Sequence, residues 1–130
     1  LQDEKFVIYP SLGQTKFMAK TDFNPEHKKV LDAMLFHLPG VTAGQMFGYP
    51  AYYINRKLFA CVYGEGVGVK VPEDVATRLL SKEQVVPFQP MGTPKMREWV
   101  RINHASSEDY KLDRDTFLCA IEFAGAFKKK

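Results

Sequence analysis

Between Tyr49 and Val71 the chain carries three closely spaced runs of β-branched and aromatic residues: Tyr52-Tyr53-Ile54, Lys57 to Tyr63 and Val67 to Val71. Only Asn55-Arg56 and Gly64-Glu65-Gly66 separate them, so each run must turn back on the one before. The stretch therefore predicts a three-stranded antiparallel meander. In the middle run Phe59, Cys61 and Tyr63 alternate with Leu58, Ala60 and Val62, apolar on both sides, as expected of a central strand covered on both faces. A type I′ turn favours Gly at its second position, where this chain has Arg56, so a longer loop is expected at Asn55-Arg56.

Helical signals flank this block. Asn24 is a good N-cap, Pro25 suits the first helical position and Glu26 complements the helix dipole. Val30, Leu31, Met34, Leu35 and Leu38 recur at helical spacing until Pro39-Gly40, which predicts an amphipathic helix of about four turns. Pro72-Glu73-Asp74 opens a short helix with Val75, Ala76, Leu79 and Leu80 on one face. Val85 to Phe88 and Lys95 to Ile102 read as further strands, divided by a loop with Pro90, Gly92 and Pro94. Asp113 is placed to cap a last helix striped by Phe117, Leu118, Ile121 and Ala124. The expected fold is α+β, an antiparallel sheet of about five strands with flanking N- and C-terminal helices and one short internal helix.

A length of 130 residues suits one domain able to bury a real core, and 45% apolar with 25% charged residues is a globular composition. Residues 1–22 have no helical period and read as a loosely ordered arm. Its one β-prone run, Phe6-Val7-Ile8-Tyr9, ends at Pro10 and could instead add to a sheet edge, here or in a neighbouring molecule. Residues 23–127 form the expected domain and 128–130 a basic tail. The formal charge of +3 comes from Lys128, Lys129 and Lys130, without which 15 basic residues balance 15 acidic ones. A neutral body gives little support for polyanion binding. Cys61 and Cys119 lie in apolar surroundings and suit free thiols of a reducing compartment, which favours the cytoplasm. No apolar run approaches the roughly 20 residues of a membrane span, and the N-terminus lacks the order of a signal peptide.

The run Gln45-Met46-Phe47-Gly48-Tyr49-Pro50-Ala51-Tyr52-Tyr53-Ile54-Asn55-Arg56-Lys57-Leu58-Phe59-Ala60, followed by Gly66-Val67-Gly68-Val69-Lys70-Val71, resembles the N-terminal domain family of TfoX/Sxy competence regulators. Pro87-Phe88, Met91-Gly92, Pro94, Met96 and Trp99-Val100-Arg101 fit the same pattern, so the resemblance runs from about Asn24 to Phe127. It implies an antiparallel sheet with flanking helices and a regulator-type role. It brings no catalytic residue, because the shared positions are mainly Gly, Pro and aromatics that shape turns and core. Arg56 stands where the family often has the Gly of an Asn-Gly turn.

Catalytic and metal-binding patterns are weak throughout. His27, His37 and His104 have no ligand spacing, and His27 reads as a packed residue on the apolar side of the first helix. Cys61 and Cys119 read as structural thiols, since burial raises a thiol's pKa. Ser11, Ser81, Ser106 and Ser107 lack a nucleophile-elbow context, and Gly64-Glu65-Gly66-Val67-Gly68 is explained by a hairpin turn. Glu73-Asp74 and Glu108-Asp109 fall at expected helix starts, where they offset the dipole. Neither cofactor nor metal is expected, and the chain reads as non-enzymatic.

Two binding surfaces stand out. In a strand from Lys95 to Ile102, alternation would put Lys95, Arg97, Trp99 and Arg101 on one face, either to stack and pair with a base or acidic ligand, or as arginine stems packed over the tryptophan. Two loops, Gln45 to Pro50 with Met46, Phe47 and Tyr49, and Phe88 to Pro94 with Met91, are rich in the Met, aromatic and Pro residues of interfaces, unless Phe47 and Phe88 turn inward. The first expectation is an interaction module that binds a protein partner, itself or a small ligand. The second is a nucleic-acid-associated regulator using the cationic strand and the terminal lysines, and the third an enzyme whose site is dispersed in sequence.

Overall fold

A computed structural model describes residues 22–126 of the chain, so the first 21 residues, with the Phe6 to Tyr9 run, and the terminal lysines lie outside the described residues. Six strands follow one another as β1 (Val41–Met46), β2 (Tyr49–Ile54), β3 (Lys57–Tyr63), β4 (Gly66–Lys70), β5 (Val85–Pro87) and β6 (Trp99–Ile102). They form one sheet in the order β1-β2-β3-β4-β6-β5, antiparallel at every pairing. Three helices accompany it, α1 (Pro25–Leu35), α2 (Glu73–Leu79) and α3 (Arg114–Ala126). The fold is α+β as expected, but the sheet has one more strand than the pattern suggested. Val41-Thr42-Ala43-Gly44-Gln45-Met46 has weak β propensity, and β1 exists because it pairs with β2 over its full length.

Two-residue turns close both early hairpins. Phe47 and Gly48 join β1 to β2 at φ 52° and 87°, and Asn55 and Arg56 join β2 to β3 at φ 51° and 67°. The longer loop expected at Asn55-Arg56 is thus replaced by a tight turn. Left-handed conformation at both central residues matches the right-handed strand twist, and strand pairing on either side holds Arg56 there against its preference. The Gln45 to Pro50 segment is likewise a hairpin tip rather than a free loop.

Alternation in β3 is broken once. Tyr52 pairs with Ala60 and Tyr53 with Leu58, which leaves Phe59 as an extra residue, a β-bulge. Phe59 consequently packs on the same side as Ala60 and Val62, against the helices, while Cys61 and Tyr63 go to the other side. This corrects the simple period-two assignment of Phe59 to the face of Cys61.

The main core lies between the sheet and the helices, built from Leu31 and Leu35 of α1, Phe117, Ala120 and Ala124 of α3, Tyr110, and the inward residues of β2 to β6. Asn24 caps α1 as expected, its Oδ1 accepting from Glu26 N at 2.8 Å and His27 N at 3.3 Å. The helix stops at Leu35, before Leu38, and is about three turns long rather than four. Asp113 does not cap α3: it closes a 3₁₀ segment, Ser107–Asp113, and its carboxylate engages His104. Leu118 is only partly buried, so the buried stripe of α3 runs through Ala120 instead. Among the described residues, no helix is long and apolar enough to cross a membrane.

Candidate functional site

The sheet's second face, opposite the helices, is covered by one loop and a row of aromatic rings. Phe88, just after β5, lies buried over Ala51 and Cys61. A Cβ on Gly68 would sit 2.8 Å from its Cε2, so the bare backbone of β4 is what lets this ring lie against the sheet. Rings then follow in contact: Tyr49 to Tyr63 at 4.5 Å, Tyr63 to Phe88 at 5.4 Å and Phe88 to Trp99 at 5.5 Å between centroids. Such spacings are those of favourable aromatic pairs.

Tyr63 brings the two predicted interface segments together. It packs against Tyr49, next to the tip of the β1–β2 hairpin, and its hydroxyl accepts from the Met91 N–H at 2.8 Å. Burial, and then the neighbouring Tyr63 hydroxyl, raise the pKa of Tyr49. Phe47 and Met91 stand exposed at 71% and 57%. Both adopt left-handed backbone conformations, φ 52° and φ 55°, that bulky side chains disfavour. Met46 is half-buried against the second-face cluster. Of the two phenylalanines that could have turned inward, Phe88 does and Phe47 does not.

The cationic strand is corrected. β6 begins only at Trp99; Arg97 precedes it in a turn and Lys95 lies in irregular backbone before that. Trp99 and Arg101 share a face of β6, but the four residues do not form one alternating row. Arg97 instead approaches Glu73 of α2, Nη1 to Oε1 3.7 Å, and is well exposed. It lines two open clefts of about 290 and 410 Å³, the first with Lys70, Glu73, Glu98 and Trp99, the second with Lys95 and Glu73. Two carboxylates among these cations leave no single-sign surface for a polyanion. Arg101 lies against Gly66, and its Nε and the Asn103 Oδ1 are buried without a hydrogen-bond partner among the described residues.

Sequence showed no sign of a polar cluster around Tyr110, in which directly bonded residues lie up to 80 positions apart. His27, only 1% exposed, has Nδ1 2.6 Å from Ser107 Oγ and Nε2 3.1 Å from the Glu65 carbonyl. The carbonyl can only accept, so Nε2 carries a proton, and in the neutral ring the Ser107 hydroxyl donates to Nδ1. The rings of His27 and His104 both meet Tyr110 edge to face at 4.7 Å, and His104 Nε2 lies 2.7 Å from Asp113 Oδ2. The Tyr110 hydroxyl donates to the Ile102 carbonyl at 2.8 Å. These bonds tie α1, the β3–β4 turn, the end of β6 and the 3₁₀ segment together, which is the work of a structural clamp.

Cys61 is buried and burial pushes its thiol up to about 12, opposed only by a Gly68 backbone hydrogen bond. Cys119 is only half-buried, unlike its expected placement; burial first, then Glu122, raise its pKa. Among the described residues, no three His, Cys, Asp or Glu side chains are placed to hold a metal ion. No family model, curated protein or solved structure matches this chain.

Proposed function

We propose that this domain is a non-enzymatic interaction module that docks a protein partner at the end of its second sheet face, between Phe47 and Met91. One observation carries the reading: two large apolar side chains are exposed on strained backbone beside one aromatic row. Neither residue stabilises the isolated fold, because Gly or Asn would suit both turns better and expose less apolar surface. Strain retained at exposed positions is a mark of binding sites. The half-buried Tyr49, Tyr63 and Trp99 would form the rest of the contact, amphipathic rings of the kind that anchor protein interfaces. A partner presenting Leu, Met or aromatic side chains fits this chemistry. The resemblance to the N-terminal domain of TfoX/Sxy competence regulators agrees with a regulatory interaction and makes a cytoplasmic setting the natural one.

The test is selection of displayed peptides on the full chain, followed by affinity measurement on the wild type and on a Phe47→Asn/Met91→Gly variant. Apolar, aromatic-rich peptides should emerge and lose at least tenfold in affinity on the variant, whose melting temperature should hold or rise. Equal affinity for the variant, or failure to select any such peptide, overturns the reading. Parallel titration with single-stranded DNA and RNA, followed by Trp99 fluorescence, should show no salt-sensitive binding; finding it would favour a nucleic-acid role instead.

A further inference from the structure

The two edges of the sheet are built differently. β5 is three residues long and ends in Pro87, which blunts it against further pairing. β1 is six residues long, pairs with β2 without a bulge, carries no charge and no proline, and is exposed from Thr42 to Gln45. Among the described residues none of the usual edge protections is present.

Which backbone groups face off this edge follows from three contacts. Gln45 pairs with Pro50, which has no N–H to offer. The Gln45 carbonyl instead accepts from the Tyr53 hydroxyl at 2.9 Å, and the Val41 N–H donates to the Leu38 carbonyl at 3.3 Å. Antiparallel ladders alternate, so Val41, Ala43 and Gln45 are the residues whose groups point away from β2. With the Val41 N–H and Gln45 carbonyl already engaged, four groups remain facing outward: both of Ala43, the Gln45 N–H and the Val41 carbonyl.

We propose that a second copy of this chain occupies the β1 edge, pairing antiparallel about Ala43 to join two sheets into one of twelve strands. The four outward groups are self-complementary. Ala43 opposite its own copy exchanges both its bonds, and each Gln45 N–H meets the Val41 carbonyl of the other copy, while the two engaged groups fall opposite one another. An isologous contact sets residue i against j and j against i about the axis at Ala43, so an edge without charge brings no like charges together. β1 is uncharged, and in the groove beside it Lys28 and Asp32 neutralise each other at 2.8 Å. The same groove contains Phe36, 42% exposed, next to Ala43 and Gly44. Because this pairing keeps the helix faces on one side, the two Phe36 rings would cover the small Ala43 pair. The inference is independent of the Phe47–Met91 site, which lies at the hairpin tip.

Sedimentation of the full chain at micromolar concentrations should give twice the 14.8 kDa chain mass. Ala43→Pro removes an outward N–H without touching the β1–β2 ladder, and Ala43→Lys sets like charges opposite each other; each should sediment at the chain mass. An equimolar mixture of Ala43→Lys with Ala43→Glu should recover the dimer, which separates direct pairing from misfolding. A monomeric wild type, a dimer indifferent to Ala43 substitution, or protection of the Ala43 and Gln45 amides from exchange in a monomer would each overturn the proposal. The last would mean that residues of the same chain cover the edge. Loss of the dimer in Phe47→Asn/Met91→Gly but not in the Ala43 variants would place self-association at the other site.

Discussion

The Met91 N–H donates a 2.8 Å hydrogen bond to the Tyr63 hydroxyl, and this bond pins the loop after β5 to the central strand of the sheet. Among the described residues it is the one side-chain hydrogen bond that holds Met91 to the sheet. Tyr63→Phe keeps the ring against Tyr49 and Phe88 but removes that acceptor. A loss of about 0.5–1.5 kcal/mol in urea unfolding is expected, with faster amide exchange at Met91.

Turn strain gives a prediction of opposite sign. Arg56 has φ 67° at the second position of the β2–β3 turn. Arg56→Gly should stabilise the protein by about 0.5–1 kcal/mol, since glycine adopts that conformation without a Cβ penalty. An unchanged or lower denaturation midpoint would show that the arginine side chain contributes more than its strain removes.

Gly68 is where the second face is most closely packed. In Gly68→Ala the new methyl meets the Phe88 ring and the β4 backbone cannot withdraw, being paired on both sides. Destabilisation of about 1–3 kcal/mol is expected. Because Phe88 abuts Trp99, the tryptophan emission should shift as well, a readout that a change confined to the helix side would not move.

Alkaline pH should destabilise the protein through its buried acids, Cys61 and Tyr110 among them, with Tyr52 raised further still by burial and by Asp32. Burial pushes the Cys61 thiol up to about 12, and chiefly burial pushes the Tyr110 hydroxyl up to about 12, from ordinary values of 9.0 and 10.0. Above those ordinary values the unfolded chain releases protons that the folded chain keeps, so the unfolded state gains and stability falls as pH rises toward 12. The urea midpoint should be level near neutrality and decline from about pH 9. Cys61→Ala should reduce the earlier part of that decline, and thiol reagents at pH 8 should modify the half-buried Cys119 well before Cys61.

His27 and His37 should differ sharply in their contribution to stability although both belong to the first helical segment and its end. His27→Ala strips partners from Ser107 and the Glu65 carbonyl and opens a cavity beside Tyr110, for an expected loss of about 2–4 kcal/mol. His37 is exposed, and His37→Ala should change stability by less than about 0.5 kcal/mol. Equal effects in thermal unfolding would refute the clamp.

Local pattern was enough to determine the meander from Tyr49 to Lys70, the Asn24 cap and the existence of all three helices, because those signals are carried by neighbouring residues: period, β-branching, caps and breakers. Tertiary structure decided what rests on distant partners. β1 is a strand only because β2 offers it a ladder, Phe59 changes face because one extra residue must be absorbed opposite Tyr52, and Arg56 is held left-handed by the strands it joins. The same holds for the candidate site. Met46, Phe47, Tyr49 and Met91 were legible as apolar segments, but Tyr63, which unites them, was hidden as one more aromatic in a strand. The cationic row failed because Lys95 and Arg97 find no ladder partner, so the alternation that would have aligned them with Trp99 and Arg101 never forms. Backbone pairing across the sheet, a non-local quantity, settles each of these cases.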